Sequence, residues 1–219
     1  TNKVYGDGPN RVQLKELDTR WDFDDLRYQN GIPEDFPVDN CLHSLFGVSK
    51  LAGDLLTQEY GRYFGLRTGT FRGGCLTGPQ HAGVELHGFV SYLTLMALKE
   101  QPYTIYGYKG KQVRDQIHSY DVITAFWEFA QNPRPGEVYN LGGGKENAIS
   151  LIECVDAIER RTGKRPRLTY TDQNRIGDHI CYYSDLSKFR RHYPGWRLSY
   201  AVDEILDGMT LAIRERLGA

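Results

Sequence analysis

The sequence predicts an α/β fold with a mostly parallel sheet, because short apolar runs alternate with amphipathic helical segments from end to end. Three stretches carry that reading. Leu51, Leu55, Leu56 and Tyr60 recur at three- and four-residue spacing, which marks one side of a helix. Val138-Tyr139-Asn140-Leu141 is a compact strand run closed by Gly142-Gly143-Gly144. Ser150 with Glu153 three residues on is a capping box that opens a helix.

Taken in order, Val4-Tyr5 reads as a strand that turns at Gly6-Asp7-Gly8-Pro9. Residues 10–40 are polar and turn-rich, with Trp21, Phe23, Leu26, Tyr28 and Phe36 lacking a period, and read as one long loop. The periodic helix covers 45–63 and stops at Gly65. Residues 66–71 alternate into a strand that ends at Arg72-Gly73-Gly74, followed by a turn at Gly78-Pro79. Residues 85–100 read as a helix broken by Pro102, 103–106 as a strand, and 107–111 as a basic, glycine-flanked loop. Residues 113–118 are extended, and Ser119 and Asp121 are placed to cap a helix over 122–130. The capping box starts a helix that runs to Arg161, short strands follow at 168–170 and 180–183, and helices near 187–192 and 200–217 complete the chain.

Composition narrows the function class. With 27 basic and 28 acidic side chains in 219 residues the net charge is -1, so no global field draws the surface to nucleic acid or to a membrane, and any polyanion must be met by local arginines. No apolar run approaches a membrane span, and Thr1-Asn2-Lys3-Val4-Tyr5-Gly6 has neither the basic start nor the apolar core of a signal peptide. Cys41, Cys75, Cys154 and Cys181 form no CxxC pair and read as reduced thiols of a cytoplasmic protein. His81 and His87 lie six apart and the other histidines are distant, so no metal is assigned.

Several local motifs have two readings when taken alone. Phe46 and Lys50 share one helix face a turn apart, which suits either a packed ring beside a solvated amine or a paired site. Gly142-Gly143-Gly144 fits neither G-x-G-x-x-G nor a P-loop, and serves as a tight turn or a phosphate cradle. Arg114-Asp115 and Arg175-Ile176-Gly177-Asp178 can pair internally or grip a phosphate with the planar guanidinium fork.

In order along the chain, these fragments resemble the extended short-chain dehydrogenase/reductase family of NAD-dependent epimerases and dehydratases. Thr1 ahead of Val4-Tyr5-Gly6 is similar to the family's Ser/Thr strand end, and Phe46-x-x-x-Lys50 sits where its Tyr-x-x-x-Lys pair belongs. Phe71-Arg72 with Thr77-Gly78-Pro79 resembles the segment beside the nicotinamide, and Gly110-Lys111-Gln112-Val113-Arg114-Asp115 through Ser119-Tyr120-Asp121-Val122 the nucleotide-diphosphate segment. Gly136 to Gly143, Arg175 to Asp178, Ser184 to Lys188 and Gly195-Trp196 continue the pattern, so the resemblance covers nearly the whole chain. Thr1 to Gly6, His43-Ser44 and Gly110 to Asp115 are closest to the branch that epimerises CDP-paratose and CDP-tyvelose at C2.

The resemblance implies a Rossmann-like parallel sheet plus a small α+β substrate-binding domain: residues 1–80 as the remainder of the NAD-binding domain, and 81–219 as mainly the nucleotide-sugar-binding domain, with about 112–130 returning to the Rossmann side. It implies NAD as cofactor, a CDP-hexose as substrate, and a homodimer or homotetramer assembled through the helices around 51–64 and 84–98. It also implies that the strand, glycine turn and helix that grip the dinucleotide pyrophosphate precede Thr1, so that these residues belong to a chain about half as long again. Thr1, Phe46 and Lys50 fall at catalytic positions; Lys50, Phe71, Arg72, Gly73 and Gly74 at the cofactor; Cys75, Glu85, His87, Tyr106, Arg114, Arg175 and Asp178 at the substrate. Phe46 departs from the pattern, since phenylalanine keeps the ring of the family's base and loses its proton acceptor. Cys75 is either a substitute base or a small space-filler. The implied activity is therefore a nucleotide-sugar epimerase working by transient oxidation at C2, another epimerase, dehydratase or reductase of the family, or a sugar-nucleotide-binding protein impaired in hydride transfer.

Overall fold

The computed structural model describes residues 1–85, 87–174 and 177–218. After 3₁₀ turns at Asn2–Tyr5 and Gly8–Arg11 come β1 (Leu14–Glu16), β2 (Trp21–Phe23), a 3₁₀ turn at Leu26–Tyr28, and the long helix α1 (Leu45–Phe64). Next are β3 (Gly69–Gly73), β4 (Cys75–Thr77), α2 (Phe89–Lys99), β5 (Pro102–Tyr106), β6 (Val113–His118), α3 (Ser119–Gln131) and β7 (Glu137–Leu141). The last third holds β8 (Ala148–Ser150), α4 (Leu151–Thr162), β9 (Arg167–Thr171), β10 (Cys181–Tyr182), α5 (Ser187–His192) and α6 (Val202–Leu217).

The α/β class and the parallel pairing agree with the sequence. Strand β6 is central: β10 and β4 flank it in parallel, and β8 pairs with it antiparallel. Two further parallel pairs, β3 with β7 and β5 with β9, and the antiparallel hairpin of β1 and β2 complete the sheets. Helix α1 begins at Ser44, whose hydroxyl accepts from the Gly47 amide, and ends at Gly65 in the left-handed region. The expected capping box at Ser150 and Glu153 is formed at the head of α4.

Four local expectations are corrected. Val4-Tyr5 is a 3₁₀ turn rather than a strand, because the Thr1 hydroxyl accepts from the Lys3 amide and Gly6 N–H closes back on the Lys3 carbonyl. Residues 10–40 are not all loop: Leu14 pairs with Phe23 and Glu16 with Trp21 in a hairpin. Helix α2 starts at Phe89 instead of residue 85, since Gly88 has φ 72° and cannot continue a right-handed helix. Helix α3 is capped by the His118 ring, which accepts from the Tyr120 amide, while Asp121 faces the other way to take the Ser199 amide.

Three apolar clusters meet around β6. One joins α2, α4 and α6 through Leu93, Ile158, Leu206 and Met209. A second gathers Tyr5, Phe23, Ile32, Tyr182 and Val113, and a third packs Ile117 against Phe129, Tyr139, Phe189 and Trp196. Helix α1 is tied to β3 by a buried ion pair: Arg72 Nε and Nη2 lie 2.9 and 3.0 Å from the two oxygens of Asp54. Arg72 Nη1 donates to the Tyr5 hydroxyl and the Glu34 carbonyl, both at 3.0 Å, and the Tyr5 hydroxyl donates to Asn140 Oδ1 at 2.8 Å. Arg72 and Asp54 are only 3% and 6% exposed.

Removing one charge here leaves the other buried without compensation. Arg72→Met is expected to lower unfolding free energy in urea by about 3–5 kcal/mol, and adding Asp54→Leu to recover much of that loss.

Candidate active site

A cavity of about 660 Å³ is bounded by the N-terminal 3₁₀ turn, the head of α1, the link from β3 to β4, His81 with residues 87–90, β5 and β6. Side chains alternate across a strand, so Gln112, Arg114 and Gln116 form one wall while Asp115 points to the opposite face of β6. There the Asp115 carboxylate accepts the backbone amides of Gly144 and Ser184 at 3.1 and 2.9 Å. Gly74 and Gly142 pack on it so closely that an added Cβ would lie 2.6 and 2.0 Å from its oxygens.

Arg114 is buried, with Nη2 2.6 Å from Asp178 Oδ1 and Nη1 2.7 Å from the Val113 carbonyl. Lys3 reaches the same carboxylate oxygen at 3.4 Å and the Gly177 carbonyl at 2.9 Å. Burial by itself would raise the Asp178 pKa, but the Arg114 and Lys3 charges prevail and hold it well below the usual carboxylate range. Burial pulls the Lys3 pKa down, with Asp178 opposing. One carboxylate between two cations leaves a positive charge unbalanced in the wall, an arrangement suited to an anionic ligand.

Thr1 and Phe46 line the cavity together with Phe71, Gly73, Gly74, Cys75, His87, Tyr106, Arg114 and Asp178. Lys50 is exposed and does not line the cavity; its Nζ lies 5.4 Å from the centre of the half-exposed Phe46 ring, which does. Glu85 stands outside the wall, where it accepts from the Tyr106 hydroxyl at 3.0 Å. Arg175 lies outside the described residues.

Three expectations change. Arg72 does not face the cavity: Phe71 and Gly73 do, and the two-residue period of β3 turns Arg72 to the other face, into its ion pair with Asp54. Gly74 borders the cavity, but the close approach that requires glycine there is to the Asp115 carboxylate. Cys75 is a poor substitute base, because burial pushes its thiol up to about 11; the Asp115 charge adds to this against Arg114 and Lys3.

Lys3, Gln112, Gln116 and His81, which no sequence motif singles out as site residues, also line the cavity. Alternation with Arg114 along an extended segment was the available signal for the two glutamines. The Lys3 contact spans 175 positions, which no local pattern reveals. His81 and His87 face each other with ring centres 6.0 Å apart, and burial, then the neighbouring His87, lowers the His81 pKa.

Residues 30–142 match the family described as NAD dependent epimerase/dehydratase. A CDP-paratose 2-epimerase of Salmonella typhi is 34% identical over 195 residues, covering 86% of this chain and 56% of that protein. A dTDP-glucose 4,6-dehydratase of Salmonella typhimurium is 28% identical over 204 residues, covering 90% of this chain and 52% of its own length. A mutant UDP-glucuronic acid 4-epimerase of Bacillus cereus, solved with UDP-4-deoxy-4-fluoro-glucuronic acid and NAD, superposes with a TM-score of 0.76 over 99% of this chain and 60% of that one; at 22% identity this shows the shared fold. The chain spans about half the length of the curated relatives it matches.

Two outcomes follow from the electrostatics. An Asp178 pKa below its unfolded value of about 3.9 contributes stability above that pH and loses it as the pH falls toward the folded value. Asp178→Asn is therefore expected to be less stable than the parent at neutral pH, with the gap closing in urea unfolding carried out below about pH 4. Alkylation of Cys75 by iodoacetamide is expected to rise with pH toward a midpoint near 11, well above the ordinary thiol value of about 8.5.

Proposed function

Because the chain belongs to the NAD dependent epimerase/dehydratase family, we propose that it carries the substrate pocket of an NAD-dependent nucleotide-sugar epimerase that acts on a CDP-hexose of the paratose type. The carrying observation is the Arg114, Asp178 and Lys3 cluster, set in the wall of a cavity that Phe46 also lines. The likeness to the Salmonella typhi enzyme supports the choice of sugar.

The residues present suit the nicotinamide end of the cofactor. Phe71 and Gly73 offer an apolar, uncrowded wall, and Lys50 an exposed ammonium beside the Phe46 ring. When bound, NAD supplies a hydride acceptor that can return the hydride to either face of the sugar. Arg114 and Lys3 bind the diphosphate, Lys50 donates to a ribose hydroxyl, and the Thr1 hydroxyl hydrogen-bonds the hydroxyl at the reacting carbon. Phe46 packs beside that carbon without a group to take its proton. A dehydration also needs a carbon acid–base pair, and the only carboxylate among the described lining residues, Asp178, is held ionised by two cations. That favours epimerisation over elimination.

In this reading residues 1–80 lie on the cofactor side and 81–219 mainly on the substrate side, with 112–130 returning. The parallel pairing of β3 with β7 supports counting 137–141 with the cofactor side as well. The exposed Leu55, Leu56, Tyr60 and Tyr63 of α1 support a homodimer or homotetramer, and four unpaired cysteines support a cytoplasmic setting. Phe46 specifically favours a second reading, a protein that binds sugar nucleotides and turns them over poorly or not at all.

The test is to incubate the full-length protein with NAD and CDP-paratose and follow inversion at C2 with retention of the C2 hydrogen. Phe46→Tyr is expected to raise turnover by about 10²-fold or more, the usual worth of a positioned acid–base group. Tight binding without turnover in both forms would establish the binding reading.

A further inference from the structure

A buried polar atom without a partner costs free energy, so one that borders an open cavity points to a ligand that satisfies it. Gln116 is such a group: the residue is 0% exposed, it lines the cavity, and its Oε1 has no hydrogen-bond partner among the described residues. The other end of the amide is engaged. Its Nε2 approaches the Arg114 carbonyl at 3.4 Å and the Cys75 thiol, which leaves Oε1 as the open acceptor.

The surroundings make the amide conspicuous. Val122, Phe126 and Leu141 line the same cavity, and a leucine or methionine at position 116 would serve if space-filling were the only requirement. Register gives the direction. Gln116 pairs with Cys75, just beyond the Phe71 and Gly73 wall, whereas Gln112, whose Oε1 is also without a hydrogen-bond partner among the described residues, precedes the other end of the strand, on the far side of Arg114 from that wall. Two residues along β6 are a step of about 6.6 Å, comparable to that from a diphosphate to the hexose it carries.

We propose that Gln116 is a specificity-determining residue that reads the hexose, its Oε1 accepting from a ring hydroxyl while Arg114 holds the diphosphate. This rests on the nucleotide-sugar reading of the cavity. An acceptor fits a hydroxyl that remains a hydroxyl throughout the reaction, because a carbon oxidised to a ketone has no proton to donate. Gln116 therefore acts on the choice of sugar and leaves the grip on the nucleotide to other residues.

The test compares the unmodified full-length protein with Gln116→Met, a near-isosteric change that removes the acceptor, and with Gln116→Leu as a second variant should the first fold poorly. Calorimetry reads affinities for CDP-paratose, dTDP-glucose and UDP-glucose and for CDP, dTDP and UDP, with melting temperatures taken alongside. The expected result is a loss of about tenfold or more for the sugar nucleotide that binds best, with the matching diphosphate unchanged within about twofold and no fall in melting temperature. If the unmodified protein binds none of these ligands, the reading of the cavity fails and the inference with it. If binding is intact and the variants leave it unchanged, or weaken sugar nucleotide and diphosphate equally, the inference alone is overturned.

Discussion

The buried contact between Arg72 and Asp54 is the constraint on which the placement of the site depends. Two charges are withdrawn from water, a cost repaid only by fork geometry and by satisfying the remaining donors. Those donors recruit Tyr5 and the Glu34 carbonyl, and Tyr5 in turn recruits Asn140 on β7. One guanidinium thus fixes the N-terminal turn, α1, β3 and β7 relative to one another. Thr1, Phe46, Phe71 and Gly73 come from three of these segments, and their meeting at one cavity follows from that fixed geometry.

What the sequence made legible was local. Helix α1 announces itself by apolar spacing and a terminal glycine, and α4 by a capping box whose two hydrogen bonds span three residues. What it hid was short or distant. Strands β4 and β8 have three residues each, too few to show alternation, and exist because β6 is there to pair with them. The same divide holds in the site. One helical turn sets Phe46 and Lys50 on a shared face, but only the resemblance singles out either of them or Arg114, whose partner is Asp178 rather than the adjacent Asp115. The resemblance put Arg72 at the cofactor together with Phe71 and Gly73, whereas a strand sends neighbouring side chains to opposite sides and Arg72 lies in its ion pair with Asp54.

Asp115 shows how a second charge can serve the fold without a counter-ion. It is fully buried, and its pKa is raised chiefly by desolvation, with the amides of Ser184 and Gly144 opposing. Gly74 and Gly142 leave room for a carboxylate that larger residues would displace. This clasp sets the floor behind the cavity, and the Arg114, Asp178 and Lys3 cluster sets its charge.

Strand β6 therefore works on both of its faces, with cavity-facing Arg114 and Gln116 on one and the Asp115 clasp on the other. The consequence concerns how such a site can diverge. Exchanges at alternate positions could retune the pocket while the clasp stays intact, so recognition and stability are separable under point substitution. They are not separable under insertion or deletion: one residue gained ahead of Arg114 would turn every later side chain to the other face, delivering Asp115 to the cavity and a guanidinium to the glycine bed, and one lost would deliver Asp115 to the cavity and the Gln116 amide to that bed. The reading frame of this strand is thus held by two requirements at once, and changes in the lining of the cavity are confined to those that preserve its length.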